Sequence, residues 1–585
     1  MNKENHIEHA RHSLAHLLAA AVLEIYPDTK LTLGPAIDTG FYYDFEFAQP
    51  VKDEALPKIE KMMRKILPSW KSFEHRVVSE AEAKEVFKDN PYKLELINEI
   101  VSKGEKITLY TAGHFTDLCR GGHVENPAKE IEADSFKLDR IAGAYWRGDE
   151  KNKMLTRVYG LAFDSKAELD QFVLNREEAK KRDHRKLGKD LDLFVFSDTV
   201  GKGLPLWTPK GAAIRRVLER FIVDEEIRRD YLHVYTPDIA KIDLYKKSGH
   251  YPYYKDSMYA PIAIDKEEFM LRPMTCPHHF ELYLSKPHSY KELPMRIAEL
   301  AKLYRYEQSG ELSGLVRVRS FCLADAHIIT KDSAQAADEV NRALDLIEYI
   351  TGVFGLKMGV NYSYRLSLGD RADEKKYFKD DAAWDDAEDK LRAVLKKRNA
   401  VFVEAAQEAA FYGPKIDIQM KDVNGKENTA FTVQYDFVMP KRFNLNYIDS
   451  DGKEKQTIVI HRSSIGAIER IIAFLIEHYA GVFPFWLSPI QAKILPIGEN
   501  HAGFAQKVFE TLKRAGIRVE LDNSSEGLGK KVRNAKVEKI PYLVIIGDKE
   551  MEAGKVTIES REKNEGTLSL DELVARFTEE VNNRK

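Results

Sequence analysis

Apolar positions change rhythm twice along the chain. From residue 6 to 25 they recur at helical spacing. Leu14, Leu17, Leu18, Ala21 and Ile25 share one stripe, which predicts an amphipathic helix; His12 and His16, four apart, stack on one of its faces. A Gly34-Pro35 turn leads to an aromatic strand at 40–47 and a charged helix near 53–67, and 142–160 closes this region. Residues 165–190 read as a charged helix and linker. Beyond 190, longer helices alternate with strands: a helix at 211–231 before a short strand at 233–237, a helix at 332–354, adjacent central strands at 411–419 and 428–437, and a strand from 458 running through His461 into a helix carrying Arg470. The last hundred residues alternate regularly, with strands at 492–497, 517–521, 543–546 and 556–558 and helices at 502–515, 528–539 and from 570. That order predicts a small mixed sheet with helices on both faces.

The stretch 303–327 organises the rest. It reads as two strands joined by a loop at 308–314, with Tyr304, Arg305 and Tyr306 alternating faces. Val316, Val318 and Ser320 take one face of the second strand, Arg317 and Arg319 the other. One sheet face then presents arginines from both strands, which suits bidentate gripping of phosphate oxygens. A hairpin with a solvated charged face has the same pattern.

Composition narrows the picture. At 585 residues the chain should hold three or four domains. A net charge of −3 with 31% charged residues leaves no global polycation, so any nucleic-acid surface must be local. The sparse cysteines, Cys119, Cys276 and Cys322, argue against a disulfide framework and for a reducing, cytoplasmic setting. The first residues are too polar for a secretion signal. The apolar run 465–487 is broken by Glu469, Arg470, Glu477 and His478, so it predicts a buried helix and no membrane span.

Two regions carry further chemistry. Asp117, Cys119 and His123 crowd a loop that Gly121 and Gly122 make tight. With His12 and His16 they supply soft and borderline ligands that would suit zinc; one solvated helix face and an unrelated loop thiol would look the same. Basic residues at 180–189 and Lys530, Lys531, Arg533 and Lys536 suit RNA phosphates, and equally suit solvated helix ends.

Arg305-x-Glu307, then a loop, then Val318-Arg319-x-Phe321 and Asp325-Ala326-His327 together resemble motif 2 of class II aminoacyl-tRNA synthetases. The terminal His327 makes it similar to the threonyl-tRNA synthetase version. The helix and strand ending at Pro237 look like motif 1, the usual dimer-forming element, and 458–470 resembles motif 3. The resemblance implies an α+β chain: an N-terminal α+β editing domain at 1–165, a helical linker at 166–189, a class II antiparallel-sheet catalytic domain at 190–487 and an α/β anticodon-binding domain at 488–585. It further implies a homodimer acting on ATP, L-threonine and tRNA(Thr), and, with His12 so near the start, absence of the ubiquitin-like domain that often precedes the editing domain.

For the sites, the resemblance implies one zinc per subunit on Cys276, His327 and His461, single ligands from three segments predicted to lie at or beside strand ends. His278 and His279 offer a competing ligand next door. Zinc would chelate the amino group and hydroxyl of threonine. That logic is sound, because a hydrophobic pocket rejects valine poorly whereas a site demanding an oxygen rejects it strongly. Met274, Asp325, Tyr412 and Gln434 match threonine-pocket positions. Arg305 would hold the α-phosphate and the carboxylate, Glu307 the adenine, Phe321 would stack on the ring, and Arg317 and Arg470 would take the outer phosphates with Mg2+. Serine also carries a hydroxyl, so a second hydrolytic site is needed; His12, His16, Asp117, Cys119 and His123 match it, and the family pattern implies ordered water there, not a metal. Departures from that pattern are Gly122 for proline, Leu323-Ala324 before Asp325, Thr429 for glutamine, Ala467 for serine and Glu559 for arginine. The altered segments at 323–325 and 428–432 motivate one rival, an RNA-binding paralogue that no longer adenylates; a second rival is a free-standing editing hydrolase, against which Arg305, Arg317 and Arg470 argue.

Overall fold

The structure, a computed structural model, describes residues 3–423 and 425–585. Contacts divide the chain into two compact units, Met1–Glu177 and Glu178–Lys585.

In the first unit the helix Lys3–Ile25 buries Leu14, Leu17, Leu18 and Ala21, as its stripe predicts. It lies against Gly40–Glu46, where Phe41, Tyr43 and Phe45 alternate onto the buried face. That strand pairs antiparallel with Met154–Ala162, which pairs in turn with Phe136–Tyr145. A second antiparallel sheet joins Glu74–Val78, Ile107–Ala112 and Phe115–Leu118. Asp117 is therefore at a strand end, while Cys119 to His123 form the loop beyond it.

The second unit is built on an eight-stranded sheet in the order Leu232–His233, Met295–Tyr304, Ser320–Thr330, Ile458–Ala467, Glu427–Asp436, Lys415–Lys421, Tyr362–Ser367, Phe402–Ala405. Only the two outermost pairings are parallel. The helix Ser333–Val353, capped by the Asp332 carboxylate, lays Ala336, Val340, Ala343, Leu344 and Ile347 against the sheet. In the C-terminal sheet Val519–Leu521, Ala492–Pro496 and Tyr542–Ile546 run parallel; Lys555–Ser560 and Asn564–Ser569 are antiparallel. The edge strand Asn564–Ser569 is polar and largely exposed, so it carries no apolar rhythm to announce it.

Three expectations shift. The hairpin of 303–327 exists, but its strands end at Tyr304 and resume at Ser320, so Arg305, Glu307 and Arg317 stand on a fifteen-residue connection and not on the sheet. The strand expected at 411–419 begins only at Lys415, because Gly413 and Pro414 hold the chain in a turn. His327 and His461 lie within their strands, directly opposite each other, and not at strand ends.

Candidate active site

The sheet register assembles one end of the site. His461 faces His327 on one neighbouring strand and Gln434 on the other; two residues on, Asp325 faces Ser463. Cys276 arrives from outside the sheet as the first residue of the helix Cys276–Tyr283. All three candidate ligands are buried, and their donor atoms lie within 4.8 Å of one another.

Their outward hydrogen bonds set the tautomers. His461 Nε2 donates to Asp436 Oδ2 at 2.7 Å, leaving Nδ1 as the free lone pair. His279 Nε2 donates to Glu299 Oε2 at 3.2 Å, so its Nδ1 accepts from His327 Nδ1 at 2.8 Å, and His327 Nε2 is left free. His279 is thus a support for His327 and not a rival ligand. His278 lies outside the triad, near Tyr245, with ring centroids 6.3 Å apart. Burial together with Asp325 and Asp436 raises the Cys276 thiol well above its ordinary range, and burial holds His327 well below its own. Two imidazoles with a lone pair turned inward and a buried thiol facing carboxylates form a donor set that a divalent cation would complete.

The same cavity, about 510 Å³, continues to the arginines. It is lined by Met274, Arg305, Glu307, Arg317, Phe321, Asp325, Tyr412, Gln434 and Arg470 as well as the three ligands, so every expected threonine and nucleotide residue shares it. Tyr412 donates to Gln434 and stacks on His461 at 5.0 Å. Arg305 lies over Phe321 at 5.2 Å. Arg317 pairs with Glu307 at 2.8 Å. Desolvation lowers Arg305 and Arg470, and Arg305 and Arg317 push Arg470 down further. Guanidinium groups crowded at the cost of mutual repulsion form a cradle for a polyanion. Thr429 is fully bonded where it stands: its carbonyl accepts from Arg470 at 2.7 Å and its hydroxyl from Gln419 at 2.7 Å.

His250 also lines this cavity and escaped the sequence reading. Its Nδ1 bonds Ser248 Oγ at 2.8 Å, and burial pushes it down to about 3, so it is neutral. No spacing signal marks it; the left-handed turn at Gly249 delivers it.

In the first unit His12, His16, Cys119 and His123 converge, with Nε2 and Sγ donors within 4.8 Å. Asp117 sits behind them, 3.3 Å from His16 Nδ1. Burial opposes ionisation of Cys119, but hydrogen bonds from His12, His123 and His16 outweigh it and bring the thiol down to about 3. Burial likewise opposes the charge on His16, yet Asp117 and Cys119 raise it to about 9. The result is a thiolate–imidazolium pair. Lys93 and Tyr43 complete the cluster: the buried ammonium pairs with Asp117, and Tyr43 donates to the same carboxylate at 2.6 Å. Lys93 was not legible, since on the helix Pro91–Ser102 it reads as a surface residue. A cavity of about 370 Å³ opens beside the cluster. Gly122 holds φ at +87°, a conformation that proline cannot adopt.

Among the described residues no helix is long and apolar enough to cross a membrane. The basic helix faces are mostly spoken for: Lys531 is buried against the Pro496 and Asp522 carbonyls, and Lys536 pairs with Glu559.

A largely antiparallel eight-stranded sheet, with arginines from the 305–319 connection and the helix Ile468–His478 gathered over it in one cavity, is the fold of a class II aminoacyl-tRNA synthetase. Residues 259–479 match the model of the tRNA synthetase class II core domain (G, H, P, S and T), 491–580 that of the anticodon binding domain, and 107–159 that of the threonyl and alanyl tRNA synthetase second additional domain. The chain is 48% identical over 575 residues to threonine–tRNA ligase of Geobacillus sp., covering 98% of this chain and 88% of that one, and 48% identical over 582 residues to that of Staphylococcus carnosus, covering 99% and 89%. A crystal structure of the RNA binding domain of threonyl-tRNA synthetase from Cryptosporidium parvum superimposes with a TM-score of 0.64 at 37% identity, covering 68% of this chain and 98% of that one. The chain belongs to the threonine–tRNA ligases.

Proposed function

We propose that the chain activates L-threonine with ATP, transfers it to tRNA(Thr), and hydrolyses Ser-tRNA(Thr) in its first unit. One observation carries the first part: a ligand triad, a buried carboxylate and three arginines share a single cavity. The α-carboxylate of threonine is already ionised, so no strong base is needed and catalysis rests on positioning and charge stabilisation. Arg305 holds the reacting carboxylate and α-phosphate, Phe321 and Glu307 seat the adenine, and Arg317 and Arg470 bind the outer phosphates, with Mg2+ sharing their charge. Asp325 accepts from the threonine hydroxyl, Tyr412 and Gln434 face the amino group, and Met274 closes the pocket. Cys276, His327 and His461 would hold zinc, which supplies a Lewis acid selective for an amino alcohol. In the first unit His12, His16, Asp117, Cys119 and His123, with Lys93, order a water against the ester.

We assign residues 1–165 to editing, 166–189 to a linker, 190–487 to catalysis and 488–585 to anticodon binding. The exposed Leu232 on the edge strand of the large sheet, with the exposed Tyr235 and Ile239 on the segment that follows it, supports a homodimer. Threonine-dependent exchange of pyrophosphate into ATP tests the reading. A paralogue without adenylation would show no exchange, and that result would replace this function with RNA binding alone.

A further inference from the structure

We infer that His184, on the helix His184–Asp190, is a positioning residue for the ATP-binding loop 305–319; the inference rests on that loop's role proposed above. His184 is 3% exposed and makes three contacts. Its Nδ1 bonds Glu477 Oε1 at 2.7 Å, its backbone N–H donates to the same oxygen at 3.3 Å, and its Nε2 accepts the Leu315 backbone N–H at 3.1 Å. Glu477 can only accept when ionised, so it fixes the proton on Nδ1 and leaves Nε2 as an acceptor. Both ring nitrogens are therefore used. Although Asp183, His184 and Glu477 lie close enough to suggest a cation, Asp183 is bound to Arg185 and caps the helix, and no lone pair of the ring is left to offer.

The other half of the grip comes from the same helix that carries Glu477. In Ile468–His478, Arg470 and Glu477 are seven residues apart and so share a face. Arg470 Nε donates to the Val316 carbonyl at 3.0 Å, one residue beyond the N–H that His184 accepts. Consecutive residues of the loop are thus held by one helix, directly at Val316 and through His184 at Leu315. The next side chain is Arg317. Gly314 fits the arrangement: φ is +50°, and a Cβ there would overlap His184 Nε2. The charged segment that reads as a mere linker in sequence supplies a wedge under the nucleotide site.

Glu477 touches neither the loop nor the cavity, which makes it the clean place to test this. Glu477→Leu frees the ring to move its proton to Nε2, where it would face the Leu315 N–H donor to donor. Glu477→Gln keeps an acceptor. In pyrophosphate exchange we expect Glu477→Leu and His184→Leu to raise KM for ATP about tenfold, with KM for threonine unchanged. Glu477→Gln, and His184→Gln with its amide oxygen facing Leu315, should recover most of the loss. Circular dichroism and the thermal unfolding midpoint report that each variant is folded. Unchanged ATP KM in Glu477→Leu, or equal rises for ATP and threonine, would overturn the inference. Arg317→Ala is the companion measurement: if it leaves ATP KM unchanged, the loop is not the nucleotide site and the inference falls with that reading. If Arg317→Ala acts and Glu477→Leu does not, His184 alone is refuted.

Discussion

His279→Leu tests the metal reading without touching a ligand. His279 is fully buried and sits between Glu299 and His327. Leucine removes the acceptor of the His327 Nδ1 proton. That N–H then either stays unpaired in a buried site, at about 1–3 kcal/mol, or moves to Nε2, which must give it up again before binding a cation. Either route weakens binding by roughly 5- to 150-fold, in line with the ~10–100-fold loss seen when outer partners of metal ligands are removed. Glu299 limits collateral damage, because Thr236 and Arg272 still bind it at 2.7 and 3.1 Å. The assay is zinc titration of metal-free protein against a competing chelator, with Co2+ absorption reporting the thiolate. His278→Leu is the control: its ring lies outside the ligand triad and makes no hydrogen bond to it, so affinity should not fall. Equal zinc affinity in His279→Leu and the unaltered protein would refute the tautomer chain, and no binding in the unaltered protein would refute the site.

Cys119, brought down to about 3, should alkylate with iodoacetamide near pH 6 while Cys276 and Cys322, raised by burial, stay inert. Its rate should drop only as pH falls through about 3, where the thiolate gains its proton; peptide mass mapping across pH reads this out. His12→Ala with His16→Ala, or Lys93→Met alone, should leave pyrophosphate exchange intact and let Ser-tRNA accumulate, and persistent deacylation would remove these residues from the editing site. Arg305→Lys should cut exchange by at least about tenfold, since a point charge replaces a bidentate fork.

The sequence made elements legible where apolar rhythm is strong and left silent whatever depends on register. The helix Lys3–Ile25 and the C-terminal alternation follow directly from spacing. His327 and His461 are 134 residues apart in the chain, and only antiparallel pairing places them opposite each other. The loop 305–319 was read too short because Val-Arg-Val-Arg alternates like a strand. Its backbone is instead claimed from outside, Leu315 by His184, Val316 by Arg470 and Arg319 by the Gly203 carbonyl. Lys93 failed for the opposite reason: one buried carboxylate, Asp117, outweighs the usual preference of lysine for water. Lys530 illustrates a charge whose local partner was visible in sequence, as Glu526 lies four residues before it.

Selection of threonine should depend on the carboxylate of Asp325 as much as on a cation. Asp325 is buried, and burial raises its carboxyl above the ordinary range. On the proposed reading, threonine or serine in the cavity would bring a hydroxyl to it. With valine, a methyl group leaves it unpaired, and sites of this kind reject such analogues by about 10⁴–10⁵. Serine differs from threonine only by a methyl group, which a pocket distinguishes by roughly 10- to 200-fold. On the proposed reading the shortfall would fall to the His12–Cys119 cluster. Asp325→Val therefore should weaken activation of threonine and serine together while narrowing the threonine-to-valine ratio by about 10- to 150-fold, the worth of one hydrogen bond to a charged group. Pyrophosphate exchange with the three amino acids measures both ratios. A threonine-to-valine ratio that stays put would assign the reading of the hydroxyl to the ligand triad alone, and the carboxylate would then serve only to position His327, whose Nε2 lies 3.9 Å away.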